Sequence, residues 1–173
     1  KIVKTFLVVV FGTILLTLSA KIKIPFYPVP MTMQTFVVLF MGLAFGWRIG
    51  LLTISLYLLE GIIGLPVFAG TPEKGIGLIY FTGPTMGYLM GFLTATFLAG
   101  YMNFQNNIFL IFTKLTLCVS TIYIFGILWL GILIGWDKPL LQLGAVPFLL
   151  AELFKILLLT FLANKIIKLK KFI

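Results

Sequence analysis

Six apolar runs take up most of this 173-residue chain, and they set its fold class before any single residue is weighed. They lie at about Thr5–Ala20, Met31–Phe45, Arg48–Gly64, Gly83–Met102, Phe112–Gly135 and Ala145–Lys165. A helix needs ~20 apolar residues, within a range of ~17–25, to cross the hydrocarbon of a bilayer. The expectation is a single all-α integral membrane domain over residues 1–173, a bundle of six transmembrane helices. Composition agrees: 61% of the residues are hydrophobic and only 10% charged, with mean hydropathy +1.20, against about 25% charged in a soluble domain. The second run is short for a full span. It predicts a tilted or partly unwound segment, which lipid tolerates only where protein or a cavity covers the backbone. Lys1, Lys4 and the first run, ending in Leu18-Ser19-Ala20, also follow the order of a cleaved leader; a retained span is the expectation taken.

Several function classes drop out. The net charge is +9, but the basic residues are spread over connectors and ends, whereas a nucleic-acid partner needs a clustered basic face. The lone Cys118 builds neither a disulfide framework nor a metal site. No histidine is present, which removes the usual imidazole base and the His-rich metal sites. There is no Walker A pattern, no Ser/His/Asp set, no HExxH and no CxxC. The chain is expected to be no enzyme and to hold no cofactor or metal, and it cannot hydrolyse ATP alone.

Basic residues orient the bundle. Lys1, Lys4, Arg48, Lys114, Lys165, Lys168, Lys170 and Lys171 collect on one side, and Lys21, Lys23, Lys74 and Lys138 on the other. An excess of Lys and Arg marks the cytoplasmic side, so both termini are expected there. Glu73 and Asp137 fall outside, and Asn103, Gln105, Asn106 and Asn107 form a cytoplasmic turn.

Lys155 is then left inside the membrane, three residues from Glu152 in the sixth run. An ionised side chain at the middle of a span costs roughly 2.5–3.5 kcal/mol on insertion scales. A spacing of three puts both on one helix face, and Glu152 sits about seven residues, or ~10 Å, from the outer end. The pair reads either as a structural ion pair or as a ligand site. A carboxylate accepts from N–H groups and an ammonium donates to carbonyl or carboxylate oxygens, which suits a small ligand such as a urea or amide.

Other candidates gather at the same outer end. Thr85 follows Gly83-Pro84, Tyr88 lies one turn further in, and Gln34 follows a proline cluster at Pro25, Pro28 and Pro30. The Leu65–Thr82 stretch is rich in turn formers yet apolar, as a lid folded over the bundle would be, and its Phe68 either packs within that lid or covers a ligand. Glu60 faces either a cavity or the outer interface. Gly87 and Gly91 are read mainly as helix-packing positions, and Trp47, Trp129 and Trp136 as interfacial anchors.

The chain resembles a known family in a series of blocks: Pro28-Val29-Pro30-Met31-Thr32-Met33-Gln34-Thr35, Gly64-Leu65-Pro66-Val67-Phe68-Ala69-Gly70, Gly83-Pro84-Thr85-Met86-Gly87-Tyr88-Leu89, and Pro147-Phe148 with Glu152 and Lys155. Together they look like the BioY family, the biotin-binding S component of energy-coupling factor (ECF) transporters. The resemblance covers about residues 20–160. It implies a six-helix protein of the bacterial cytoplasmic membrane that captures biotin from outside, working with a transmembrane coupling protein and ATPase subunits. The family's acidic residue and lysine, which contact biotin, fall on Glu152 and Lys155. Glu152 stands where the family usually has Asp, and Met86 where it commonly has Gly. Related S components often carry a small-xxx-small stripe on the first helix for the coupling partner; here Gly12 and Ala20 flank Leu16. The expected cavity lies between the third, fourth and sixth runs, lined by Glu152, Lys155, Thr85, Tyr88 and Gln34 beneath Phe68. An S component for another vitamin, such as thiamine or riboflavin, and a non-transporting membrane scaffold are the alternatives.

Overall fold

The computed structural model describes residues 2–70, 75–104 and 107–172. Lys1, Glu73, Lys74, Gln105 and Asn106, which entered the charge and turn assignments above, lie outside the described residues. Helix α1 (Ile2–Lys21) is followed by a two-stranded antiparallel hairpin, β1 (Lys23–Ile24) and β2 (Met31–Thr32). Next come α2 (Gln34–Ile62), a 3₁₀ segment at Gly77–Thr82, α3 (Met86–Tyr101) and α4 (Ile108–Ile134). Short α5 (Leu140–Gly144), a 3₁₀ turn at Val146–Phe148, α6 (Leu149–Ile166) and a 3₁₀ segment at Ile167–Phe172 complete the chain. Among the described residues, Ile2–Lys21, Gln34–Ile62, Ile108–Ile134 and Leu140–Lys171 are long and apolar enough to cross a membrane. Helix α3, at 16 residues, is shorter.

The second and third runs meet at a reversal inside α2. Gly46 has φ 82° and ψ 170°, a backbone state open in practice to glycine alone. A Cβ on Gly50 would lie 3.4 Å from the Gly42 Cα. Residues eight apart in a straight helix are ~12 Å apart along its axis, so the two halves of α2 double back and pack glycine on glycine. Gly100 of α3 seals the corner, since a Cβ there would strike the backbone of Gly46 and Trp47. Nothing lies within 4 Å of a Cβ built on Gly46 itself, so substitution there meets strain rather than crowding. Gly46→Ala is expected to destabilise the protein by about 1–3 kcal/mol, read as a lowered unfolding midpoint in detergent; an unchanged midpoint would refute the strain.

Glycines fix the other close approaches. Gly91 meets the Ile122 backbone of α4, and Gly87 the Phe125 and Trp129 positions, the packing role expected of them. Gly12 leaves room for Thr53 and Met41 of α2, and Leu16 and Ala20 are fully buried. Gly12, Leu16 and Ala20 thus lie inside the protein, because α1 must pack on α2. The outward face of α1 instead presents Phe6, Leu7, Phe11, Ile14 and Leu18.

The sixth run is not one helix from Ala145. Gly144 ends α5, Pro147 sits in the following 3₁₀ turn, and α6 begins only at Leu149. Proline lacks the N–H that an interior helical position must donate, so the chain restarts after it. Glu152 therefore falls in the first turn of α6, where the helix dipole favours a carboxylate.

The apolar connector after α2 is pinned from the α1 side. The Lys21 ammonium donates to the Pro66 and Phe68 carbonyls at 2.8 Å each, and Lys23 donates to the Ala69 carbonyl. Phe68 is thereby held inward. It stacks on Tyr80 at 4.7 Å between ring centroids and meets Tyr57 and Phe81 edge-on. A Cβ on Gly61 would collide with its ring.

Candidate functional site

Glu152 and Lys155 are 5% and 3% exposed. An isolated charge at that burial would be very costly, and the surrounding hydrogen bonds show how the cost is offset. The Lys155 Nζ donates to Glu152 Oε1 at 2.7 Å, to Thr35 Oγ1 at 2.8 Å and to the Thr32 carbonyl at 2.7 Å. An ammonium has three protons, and all three are used. The Thr35 hydroxyl in turn donates to the carboxylate, 2.9 and 3.0 Å from its two oxygens. Thr35 is thus a relay between the two charges and ties the start of α2 to the start of α6.

A second chain of hydrogen bonds runs beside the first. Gln34 Nε2 donates to the Tyr57 hydroxyl at 2.7 Å, which donates to the Val67 carbonyl at 3.0 Å. The Thr32 hydroxyl donates to Gln34 Oε1 at 3.2 Å. Both halves of α2, the β2 strand and the Phe68 connector are locked together by this chain. Among the described residues, every buried side-chain nitrogen and oxygen has a partner.

These networks form the polar wall of a cavity whose empty space, open solvent included, is about 550 Å³. Gln34, Phe68, Thr85, Tyr88 and Glu152 all line it. Lys155 does not; it is held by Thr32, Thr35 and Glu152, which do. Tyr88 spends its hydroxyl on the Gly144 carbonyl at 2.7 Å. The Thr85 side chain makes no cap bond at the start of α3 and instead meets the Tyr80 hydroxyl. Burial raises the Tyr80 phenol above its ordinary pKa, with Thr85 and the Gly70 backbone pulling the other way. It remains neutral at physiological pH.

The walls differ from the expected set. The third run supplies no lining residue: Tyr57 reaches the site only through Gln34, and Glu60 is not part of the wall. The fifth run contributes instead, through Ile122 and Tyr123 of α4. Tyr123 stands next to the Glu152 carboxylate and edge-on to Tyr88, with centroids 6.0 Å apart. Thr35, Tyr80, Tyr123 and Phe148 also line the cavity and were not singled out from sequence. Thr35 adjoins Gln34 in a quoted block, and Phe148 follows Pro147 in another; Tyr123 had no signal beyond a hydroxyl within an apolar run.

Chemically, the cavity offers one carboxylate with spare lone pairs, an amide, hydroxyls, and an apolar surround from Leu89, Phe92, Ile122 and Phe148. That arrangement fits an uncharged ligand head with N–H donors and an apolar body.

Comparison with known proteins gives the following. The model of the BioY family matches residues 2–172. The probable biotin transporter BioY of Pyrococcus horikoshii is 36% identical over 141 residues, 82% of each chain. The biotin transporter BioY of Thermotoga maritima is 33% identical over 159 residues, covering 91% of this chain and 92% of the relative. The crystal structure of the S-component for biotin from an ECF-type ABC transporter superposes with a TM-score of 0.80 at 26% identity, over 96% of this chain and 92% of that one.

Proposed function

The chain belongs to the BioY family, and from that premise we propose that it is the substrate-binding membrane subunit that captures biotin from outside for uptake, energised by a separate ATP-driven ECF module. It is a multi-pass membrane protein and a transporter component, not an enzyme. The observation that carries the ligand assignment is the Glu152 carboxylate, fixed by Lys155 and Thr35, on the wall of an otherwise largely apolar cavity. The two ureido N–H groups of biotin are donors for such a carboxylate. Its sulfur-containing ring and aliphatic chain suit the apolar walls.

In this reading Glu152 and Gln34 address the ureido head, Lys155 holds Glu152 in place, Thr85 and Tyr88 shape the wall, and Phe68 covers the ligand. The bundle crosses the cytoplasmic membrane six times, with α2 counted twice because of its reversal at Gly46. Both termini face the cytoplasm, where Lys and Arg are in excess. The coupling protein and ATPase subunits act from the membrane and the cytoplasmic side. With Gly12 and Ala20 buried, the coupling protein meets another surface of the bundle.

Ligand identity is tested by thermal shift of the purified protein with biotin, thiamine and riboflavin. Biotin alone is expected to raise the midpoint, by an amount that grows with ligand concentration over Kd. A shift with thiamine or riboflavin instead would reassign the vitamin, and no shift with any of the three would favour a scaffold.

A further inference from the structure

A second cavity adjoins the first. Its empty space, open solvent included, is about 590 Å³, and it shares Pro30, Ala69, Tyr80 and Thr85 with the first as common lining. Its charge is opposite. Where the inner cavity is faced by the Glu152 carboxylate, the outer one is faced by the Lys23 ammonium. Lys23 spends one proton on the Ala69 carbonyl and keeps two. Among the described residues the ion pairs are Lys138–Asp137 and Lys155–Glu152, so no described carboxylate neutralises Lys23. The remaining lining, with Pro25, Phe26, Pro28 and Pro84, is mostly apolar.

The two adjoining cavities therefore present an acceptor in one, Glu152, and a cation in the other, Lys23, joined by the lining they share at Pro30, Ala69, Tyr80 and Thr85. We propose that Lys23 is the specificity residue for the ligand's acidic tail: the outer cavity takes a carboxylate carried on a flexible chain, while the inner one takes the head. This rests on the biotin reading above and extends it to discrimination between the free acid and uncharged derivatives. Lys23 is exposed, so solvent screens the contact, and the tail is expected to contribute a few-fold in affinity, up to about fivefold. Because the same ammonium holds Ala69, the residue after Phe68, the tail and the cover over the head share one anchor.

The test is competition against labelled biotin, by biotin and by its uncharged carboxamide, on the purified full chain in detergent. The wild type is expected to prefer the acid by a few-fold, up to about fivefold. In Lys23→Gln, which keeps an N–H donor for the Ala69 carbonyl, the ratio of the two affinities falls toward one; in Lys23→Arg it is retained. A wild type that binds acid and amide equally, or a ratio unchanged in Lys23→Gln, overturns the inference and leaves the biotin reading standing. If Lys23→Gln loses both ligands alike while Lys23→Arg keeps both, the ammonium serves the loop and not the tail, which also overturns it. A wild type that binds neither ligand overturns the biotin reading, and the inference with it.

Discussion

Lys155→Met is expected to cost the folded protein about 3–5 kcal/mol, the range seen when one member of a buried ion pair is removed and the other is left uncompensated. Glu152 would keep the Thr35 hydroxyl, itself deprived of the ammonium that donates to it, and the neighbouring Tyr123. The Thr32 carbonyl would lose its Lys155 donor as well. The unfolding midpoint in detergent reads the loss directly. Replacing both charges, Glu152→Leu with Lys155→Met, should recover most of the stability, because apolar substitution of a whole buried pair is often neutral or stabilising. That double variant should nevertheless bind no biotin. Stability regained without binding separates the ligand role of the pair from its structural one; a double variant that still bound biotin would make the pair purely structural.

Glu152→Ala is expected to weaken biotin binding on the order of a hundredfold. Two N–H donors meeting a carboxylate give hydrogen bonds of about 1.5–3 kcal/mol each; the low end of their sum, about 3 kcal/mol, is roughly a hundredfold at 1.4 kcal/mol per decade. Glu152→Asp keeps the charge and shortens the reach by one methylene, so it should retain more affinity than Ala. Equilibrium binding of labelled biotin to the three proteins orders them, and Ala binding as tightly as Glu would remove the carboxylate from the site.

Much of this was legible in the sequence because lipid imposes long apolar runs. The break between the second and third runs was visible at Phe45–Arg48. Its tightness was not, since a glycine at that point permits a reversal but does not require one. The start of α6 was misplaced because Ala145 and Val146 extend the apolar run without a break, whereas Pro147 sets the backbone. The Glu152–Lys155 pairing followed from their spacing of three. Which of the two faces the cavity did not follow, because that depends on how α6 is rotated against α2, and Thr32 and Thr35 set that rotation by capturing the ammonium. Tyr123 was hidden for a similar reason: its meaning depends on which face of α4 meets α3, a choice made by Gly91 against Ile122. The Gly12–Ala20 stripe shows the converse risk, since small residues mark a close approach without naming the neighbour.

The reversal at Gly46 bears on how the protein reaches the membrane. No connecting loop separates the two halves of α2, and their contact at Gly42 and Gly50 is between near neighbours in sequence. Such local contacts form early, with little loop entropy to overcome. The 29-residue segment is therefore expected to enter the membrane as one hairpin, giving α1 and α3 a surface on which to pack.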